Sequence, residues 1–167
     1  MAQLSDAARA RFEEFVRANG DRLLHTAYGL CGDWQHAEDL VQVTLSTMAA
    51  RWDSIERNAL GYAYRCLSRS TVDRWRRLGR RPEVVSDPVT LRAATASDPD
   101  VAERLSVLAA LQTLPERQRA IVVLRYLQDL SEADTAGALG ITVGAVKSGA
   151  SRGLARLRAG AFQEVEQ

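Results

Sequence analysis

Apolar residues recur at spacings of three and four along almost the whole chain, and no segment alternates as a strand would. Phe12, Phe15, Val16, Leu23, Leu24, Ala27 and Tyr28 trace one or two opening helices. Gly32 interrupts that line, and Asp33 is placed to cap a new helix, since a short acidic side chain can accept from the free amides of a first turn. Val41, Leu45, Met48 and Trp52 then fall on one face. The stretch RWDSIERNA reads as a loop. From Ala59 to about Leu78 the apolar line Leu60, Tyr64, Leu67, Thr71, Trp75 and Leu78 predicts a longer helix.

The pattern then fails. GRRPEVVSDPVTLRAATASDPD contains Pro82, Pro88 and Pro99 among Ser, Thr and Asp and has no sustained apolar face. An ordered surface loop of this length is uncommon, so residues 82–100 read as a flexible linker. Periodicity resumes with Val101, Leu105, Leu108 and Leu111, a helix that TLP ends. Another helix follows Pro115 through Ile121, Leu124 and Leu127. Ser131 can cap the next, with Asp134 three residues on as its reciprocal partner. Gly140 stops that helix, because glycine takes the left-handed conformation at little cost, and Thr142 can cap the last one. The expected fold is all-α, with two small helical domains.

Composition narrows the class. The 167 residues are 46% hydrophobic and 26% charged, the profile of a globular chain. No apolar run approaches the ~20 residues that span a bilayer, so no membrane insertion is expected. MAQLSDAARARFEEF lacks the apolar stretch of a secretion signal, and a cytoplasmic location is expected. Cys31 and Cys66 have no CxxC partner and are expected to stay reduced. The net charge of +1 hides a pattern. Between Arg65 and Arg81 seven arginines face the single acid Asp73, Pro82–Leu114 is net acidic, and the final stretch is basic again. Two basic patches separated by an acidic connector suggest one polyanion held at two places.

The second patch has a shape. Two short helices joined by about three residues around Gly140 make a helix-turn-helix, with Ala136 at the close crossing and Val146 packing the second helix back. At 100° per residue Val143, Val146, Ala150, Gly153, Leu154 and Leu157 share one face of that second helix. The opposite face shows Gly144, Ala145, Ser148, Arg152, Ala155 and Arg156, with Lys147 and Ser151 at its edges. ITVGAVKSGASRGLARLR holds no acid. A major groove about 12 Å wide admits a helix, small side chains let it approach closely, and cations around it meet phosphates. This pattern favours duplex DNA over a solvated helix with incidental glycines. In the front half Tyr62, Arg65, Arg69, Val72 and Arg76 recur at spacings of three and four opposite the apolar line. A cationic stripe headed by an aromatic suits phosphates and unstacked bases, although an ordinary arginine-rich solvated face competes with that reading.

AEDLVQVTL, GYAYRCLSRSTVDRWRR, the linker and LPERQRAIVVLRYLQDLSEADTAGALGITVGAVKSGASRGLARLR together resemble extracytoplasmic-function (group 4) sigma factors of the sigma-70-type family. The resemblance covers almost the whole chain in the family's order. RFEEFVRANGDRLLHTAYGLCGDWQHAEDLVQ further resembles the SigE-like subgroup of actinobacteria. A departure is Gly149, where family members often carry a polar or charged residue, which bears on base contacts near that position.

The resemblance implies a transcription initiation factor. Residues 1–81 resemble region 2, which docks on the clamp helices of the polymerase β′ subunit and reads the −10 element by capturing a flipped base. The matching core-facing residues are Asp39, Gln42, Val43 and Ser46, opposite Val41, Leu45 and Met48; simple solvation would give Asp39 and Gln42 the same spacing. The −10 positions match Ser54, Glu56, Arg57 and Asn58 and the stripe Tyr62, Arg65, Arg69 and Arg76. Residues 82–100 match the connecting linker. Residues 101–160 resemble region 4, which contacts the β flap and reads the −35 element; Thr142, Gly144, Ala145, Lys147, Ser148, Ser151, Arg152 and Arg156 carry that role here. Residues 161–167 make a short tail, with no appended domain expected. An anti-sigma factor is an expected partner. No cofactor, metal or catalytic residue is implied.

The rival reading is a helix-turn-helix regulator whose front half senses a ligand or dimerises. An enzyme fits poorly: His25 and His36 lack a ligand cluster, and the glycines are scattered rather than gathered in a phosphate loop. A zinc-binding anti-sigma factor lacks its Cys/His spacing.

Overall fold

In the computed structural model the described residues are 4–78 and 99–164, without the side chains of residues 74, 75, 78, 99–101 and 161–164. The linker stretch 82–98 and the side chains of Trp75, Leu78 and Val101, all expected from the sequence pattern, therefore lie outside the described residues. The described residues are helical, with no strand among them. They fall into two compact units, Met1–Arg80 and Arg81–Gln167.

In the first unit, α1 (Asp6–Cys31) is one helix of 26 residues. Ser5 caps it by accepting from the Ala8 amide at 3.2 Å. Gly20 in its middle does not break it, because packing of the apolar face offsets the ~1 kcal/mol that a mid-helix glycine costs relative to alanine. Gly32 ends it at φ 77, and Asp33 caps α2 (Trp34–Ala49) by accepting from the His36 amide at 2.6 Å. Both ends match the punctuation read from residue type. The segment expected to be a loop is instead coiled tightly: α3 (Trp52–Ile55) and a 3-10 turn (Glu56–Asn58) lead directly into α4 (Ala59–Leu78). The reason is Trp52. It does not extend the α2 face; it turns inward, only 2% exposed, against Phe12 and Phe15 at ring-centroid distances of 5.0 and 5.4 Å. Aromatic pairs of this kind add about 0.5–1.5 kcal/mol beyond area burial, enough to hold a short helix that propensity alone would not.

The core of this unit is Leu23, Ala27, Tyr28 and Leu30 from α1, Ala37, Val41 and Met48 from α2, and Ala63, Tyr64 and Leu67 from α4. Two buried hydroxyls are satisfied within their own helices: Thr26 donates to the Arg22 carbonyl at 2.7 Å and Thr71 to the Leu67 carbonyl at 3.1 Å, whereas the buried Ser68 Oγ has no hydrogen-bond partner among the described residues. Leu45, expected in the core line, is only half-buried.

In the second unit α5 (Pro99–Gln112) begins two residues inside the stretch read as linker, since proline is compatible with a first helical turn. The helix after Pro115 is not uniform. It is α-helical as α6 (Glu116–Val122) and then widens into a π-helical turn (Val123–Leu127). The Gln128 amide reaches back to the Val123 carbonyl at 3.1 Å. α7 (Glu132–Leu139) and α8 (Val143–Glu164) complete the unit. Leu108, Leu111, Leu114, Ile121, Leu124, Leu139 and Val146 form its core.

Candidate nucleic-acid interface

The turn between α7 and α8 is built by its caps. The Ser131 hydroxyl oxygen accepts from the Asp134 amide at 3.0 Å. The Asp134 carboxylate accepts from that same hydroxyl at 2.7 Å, so the reciprocal contact runs between side chains rather than to the cap backbone. Gly140 adopts φ 65 and its amide returns to the Ala136 carbonyl. Asp129, just before α7, also has a positive φ of 54, and the Arg125 guanidinium donates to the Leu130 carbonyl to close that loop. Thr142 Oγ1 accepts from the Ala145 amide at 3.1 Å, so Thr142 is a cap of α8 first.

Ala136 and Val146 are buried as the crossing required. Gly144, Ala145, Lys147, Ser148, Ser151, Arg152 and Arg156 are all exposed, on a face without acids. Two details depart from the sequence reading. Val143, grouped with the buried face, is 40% exposed, because it stands at the first turn before α8 meets its neighbours. Gly149 is not near the outer face at all: it is buried, and a Cβ there would collide with Ile121 Cδ1 of α6. Gly153 is close-packed as well, with Val122 Cγ2 at 2.8 Å from a Cβ position. The lack of bulk in this helix therefore has two origins, Gly144 and Ala145 outside and Gly149 and Gly153 inside.

The outer cations are held in two ways. Arg152 Nε donates to the Ser148 carbonyl at 3.2 Å and its Nη2 to Ser148 Oγ at 3.3 Å, which lays the guanidinium along the helix. Lys147 Nζ lies 3.6 Å from the Glu132 carboxylate of α7. Spacing does not single out Glu132; only the turn brings it to α8.

In the first unit Arg65, Arg69 and Arg76 are exposed and Tyr62 and Val72 half-buried, so α4 presents the expected stripe. The Arg65 guanidinium lies over the Tyr62 ring at 5.9 Å. Burial pushes the Cys66 thiol up; a hydrogen bond with Tyr62 and the charges of Arg69, Arg65 and Arg51 oppose it. Arg51 thus joins this patch, although it sits before α3 and carries no periodic signal. Ser54, Glu56, Arg57 and Asn58 are exposed beside the stripe in sequence. Two of them have partners: Ser54 donates to the Arg51 carbonyl at 2.8 Å, and Glu56 pairs with Arg11 of α1 at 2.6 Å. Asn58 lies directly against Gly61, where a Cβ would meet its side chain.

On α2, Asp39, Gln42, Val43 and Ser46 are exposed, Val43 at 61%. Gln42 and Ser46 line a shallow groove of about 520 Å³ with Phe12 and Val16 of α1 and with Leu45 and Ala49. That groove is why Leu45 is only half-buried. Among the described residues no cluster of His, Cys, Asp and Glu could hold a metal, and no helix is long and apolar enough to cross a membrane.

An all-α chain with a capped helix-turn-helix in one unit and an aromatic-headed basic helix face in the other belongs to the class of DNA-binding transcription factors. Comparison makes the class specific. Residues 15–81 match the sigma-70 region 2 family and residues 104–157 the sigma-70 region 4 family. The chain is 38% identical to RNA polymerase sigma-E factor of Streptomyces antibioticus over 148 residues, covering 88% of this chain and 82% of that one. It is 37% identical to RNA polymerase sigma-E factor of Streptomyces coelicolor, covering 88% and 84%. Its fold is similar to the sigma factor RpoE of Bartonella quintana, solved in complex with the anti-sigma factor NepR, with TM-score 0.63, 26% identity, and 89% and 94% coverage. The chain belongs to the extracytoplasmic-function sigma factors of the sigma-70 family, within the sigma-E-like group of actinobacteria. It is a sigma factor: it binds core RNA polymerase and directs recognition of promoter DNA at the start of transcription. The rival of a ligand-sensing regulator is not favoured, since both halves match sigma regions.

Proposed function

We propose that residues 1–81 form the domain that binds core polymerase and the −10 element, that residues 82–100 connect it, and that residues 101–160 form the −35 domain, followed by a tail at 161–167. In this reading α8 enters the major groove of the −35 element. Arg152 reads a base edge, Lys147 and Arg156 meet phosphates, and Gly144, Ala145, Ser148 and Ser151 leave the face low enough to approach the bases. Thr142 contributes at the N-terminal end of α8, where free amides favour a phosphate. The observation that carries this is the acid-free exposed face of α8 behind a doubly capped turn.

The α4 stripe Tyr62, Arg65, Arg69 and Arg76, with Ser54, Glu56, Arg57 and Asn58, holds the non-template strand at −10. Extruding a base costs a few kcal/mol, which stacking on an aromatic and neutralisation by arginines offset. Asp39, Gln42, Val43 and Ser46 dock on the β′ clamp helices, and the second unit meets the β flap. The protein acts in the cytoplasm, performs no covalent chemistry of its own, and is restrained by an anti-sigma factor. Two modest DNA contacts joined through one chain multiply their affinities only at correctly spaced promoters. Transcription in vitro with core polymerase on libraries randomised at −35 and at −10 tests the assignment. Initiation at defined sites with both elements enriched is the expected result. Duplex binding that ignores core polymerase would overturn it.

A further inference from the structure

We infer that Gly149 is a positioning residue for −35 recognition: it sets how closely α8 packs on α6, and thereby how the outer face of α8 meets the groove. The inference rests on the reading of α8 as the −35 helix.

The distance between packed helices is set by the side chains at their contact. At Gly149 there is none. The Ile121 Cδ1 methyl of α6 occupies the place a Cβ would take. One turn on, Gly153 repeats the arrangement against Val122 Cγ2, with Gln118 Cβ 3.6 Å from the same point. Ile121 and Val122 are themselves buried, 4% and 2% exposed, and Val146 of α8 is fully buried. Ile121 is buried, so turning its Cδ1 methyl away has to displace other side chains of a close-packed interior. A methyl at position 149 has to be met by a turn of the Ile121 end group or by a shift of α8, and the proposed course is the shift. Lys147, Ser148 and Arg152 flank Gly149 on the same turn and must move with it. Base readout tolerates little displacement, since a bidentate contact requires both hydrogen bonds at once. Bulk at this point is thus a change in specificity and not only in stability.

The test compares Gly149→Ala, Gly149→Ala with Ile121→Val, and Arg152→Ala in reconstituted holoenzyme, alongside thermal melting. The valine removes the methyl that the alanine would strike. Each holoenzyme is assayed on a library randomised at −35. Gly149→Ala is expected to flatten −35 preference about fivefold, the low end of what one bidentate base contact supplies. The double variant should recover most of that preference. If Gly149→Ala melts too early to assay, the double variant carries the test, and a flattened −35 preference in a folded double variant overturns the inference. A Gly149→Ala holoenzyme that is weaker on all promoters with its −35 ranking intact also overturns it, as does one with no change. Loss of −35 preference in Arg152→Ala alone removes only this inference. An unchanged preference in both Arg152→Ala and Gly149→Ala removes the assignment of α8 itself.

Discussion

The Nε of Arg11 lies 2.6 Å from Oε1 of Glu56, tying α1 to a turn 45 residues further on. Both side chains are exposed, at 47% and 38%, so the pair is expected to contribute only about 0.2–1 kcal/mol to stability. Its larger consequence is electrostatic. Glu56 is an acid in a surface proposed to hold a DNA strand, and Arg11 neutralises it. Arg11→Ala is expected to slow strand opening at the −10 element with little change in thermal midpoint. Adding Glu56→Gln should restore opening, as read by permanganate reactivity of unpaired thymines. An equal defect in the double variant would mean that Arg11 touches DNA or polymerase itself.

Lys147 and Arg152 are separated by their partners. Arg152 lies along α8 on Ser148, whereas Lys147 is drawn toward Glu132. Arg152→Ala is expected to relax −35 preference by an amount worth ~1–3 kcal/mol, while Lys147→Ala weakens all sequences and lowers the salt slope by about one unit. Neither should alter −10 preference. Glu132→Ala frees Lys147 and should tighten binding across −35 sequences. Selections at several salt concentrations check all three, and a changed −10 preference in Arg152→Ala would refute the division of labour.

Asp39 and Gln42 are exposed on α2, and Gln42 lines the groove with α1. Neither belongs to the core. Replacing both with alanine is expected to weaken core-polymerase binding about tenfold, the effect of losing one or two significant interface side chains. The melting temperature should stay within a degree or two, because surface changes are usually within ~0.5 kcal/mol. Competition binding with unaltered protein measures the first, calorimetry the second. A collapse of the melting temperature would show the face to be structural.

Burial raises the Cys66 thiol and the Tyr64 phenol above their ordinary ranges, opposed at Cys66 by a hydrogen bond with Tyr62 and the charges of Arg69, Arg65 and Arg51 and at Tyr64 by the charge of Arg22. A raised folded-state value favours the neutral form. The stability it brings is complete below the unfolded value and is lost as pH rises through the folded one. The first unit is therefore expected to weaken as pH climbs past the ordinary thiol range, and further past the phenol range. Cys66→Ala should remove the earlier part of that decline in thermal melts against pH. Alkylation of Cys66 near neutral pH should also be slower than that of a free thiol.

Helix ends are written locally. Gly32 and Gly140 act through their own backbones, and Asp33, Ser131 and Thr142 through side-chain oxygens that reach an amide three residues on, so the residue types alone determine these ends. The acid-free outer face of α8 and the stripe on α4 follow from period alone, because a surface pattern needs no partner to exist. The features beyond the reach of sequence depend on contacts far apart in the chain. RWDSIERNA coils because Trp52 finds Phe12 and Phe15. Arg51 joins the α4 patch, Glu132 meets Lys147, and Arg11 covers Glu56 only after folding. Gly149 is the sharpest case. In sequence it stands among small residues of a helix read as DNA-facing; in the fold it faces Ile121. A glycine shows why it is small only when the atom filling its missing side chain is known, and that atom belongs to another helix.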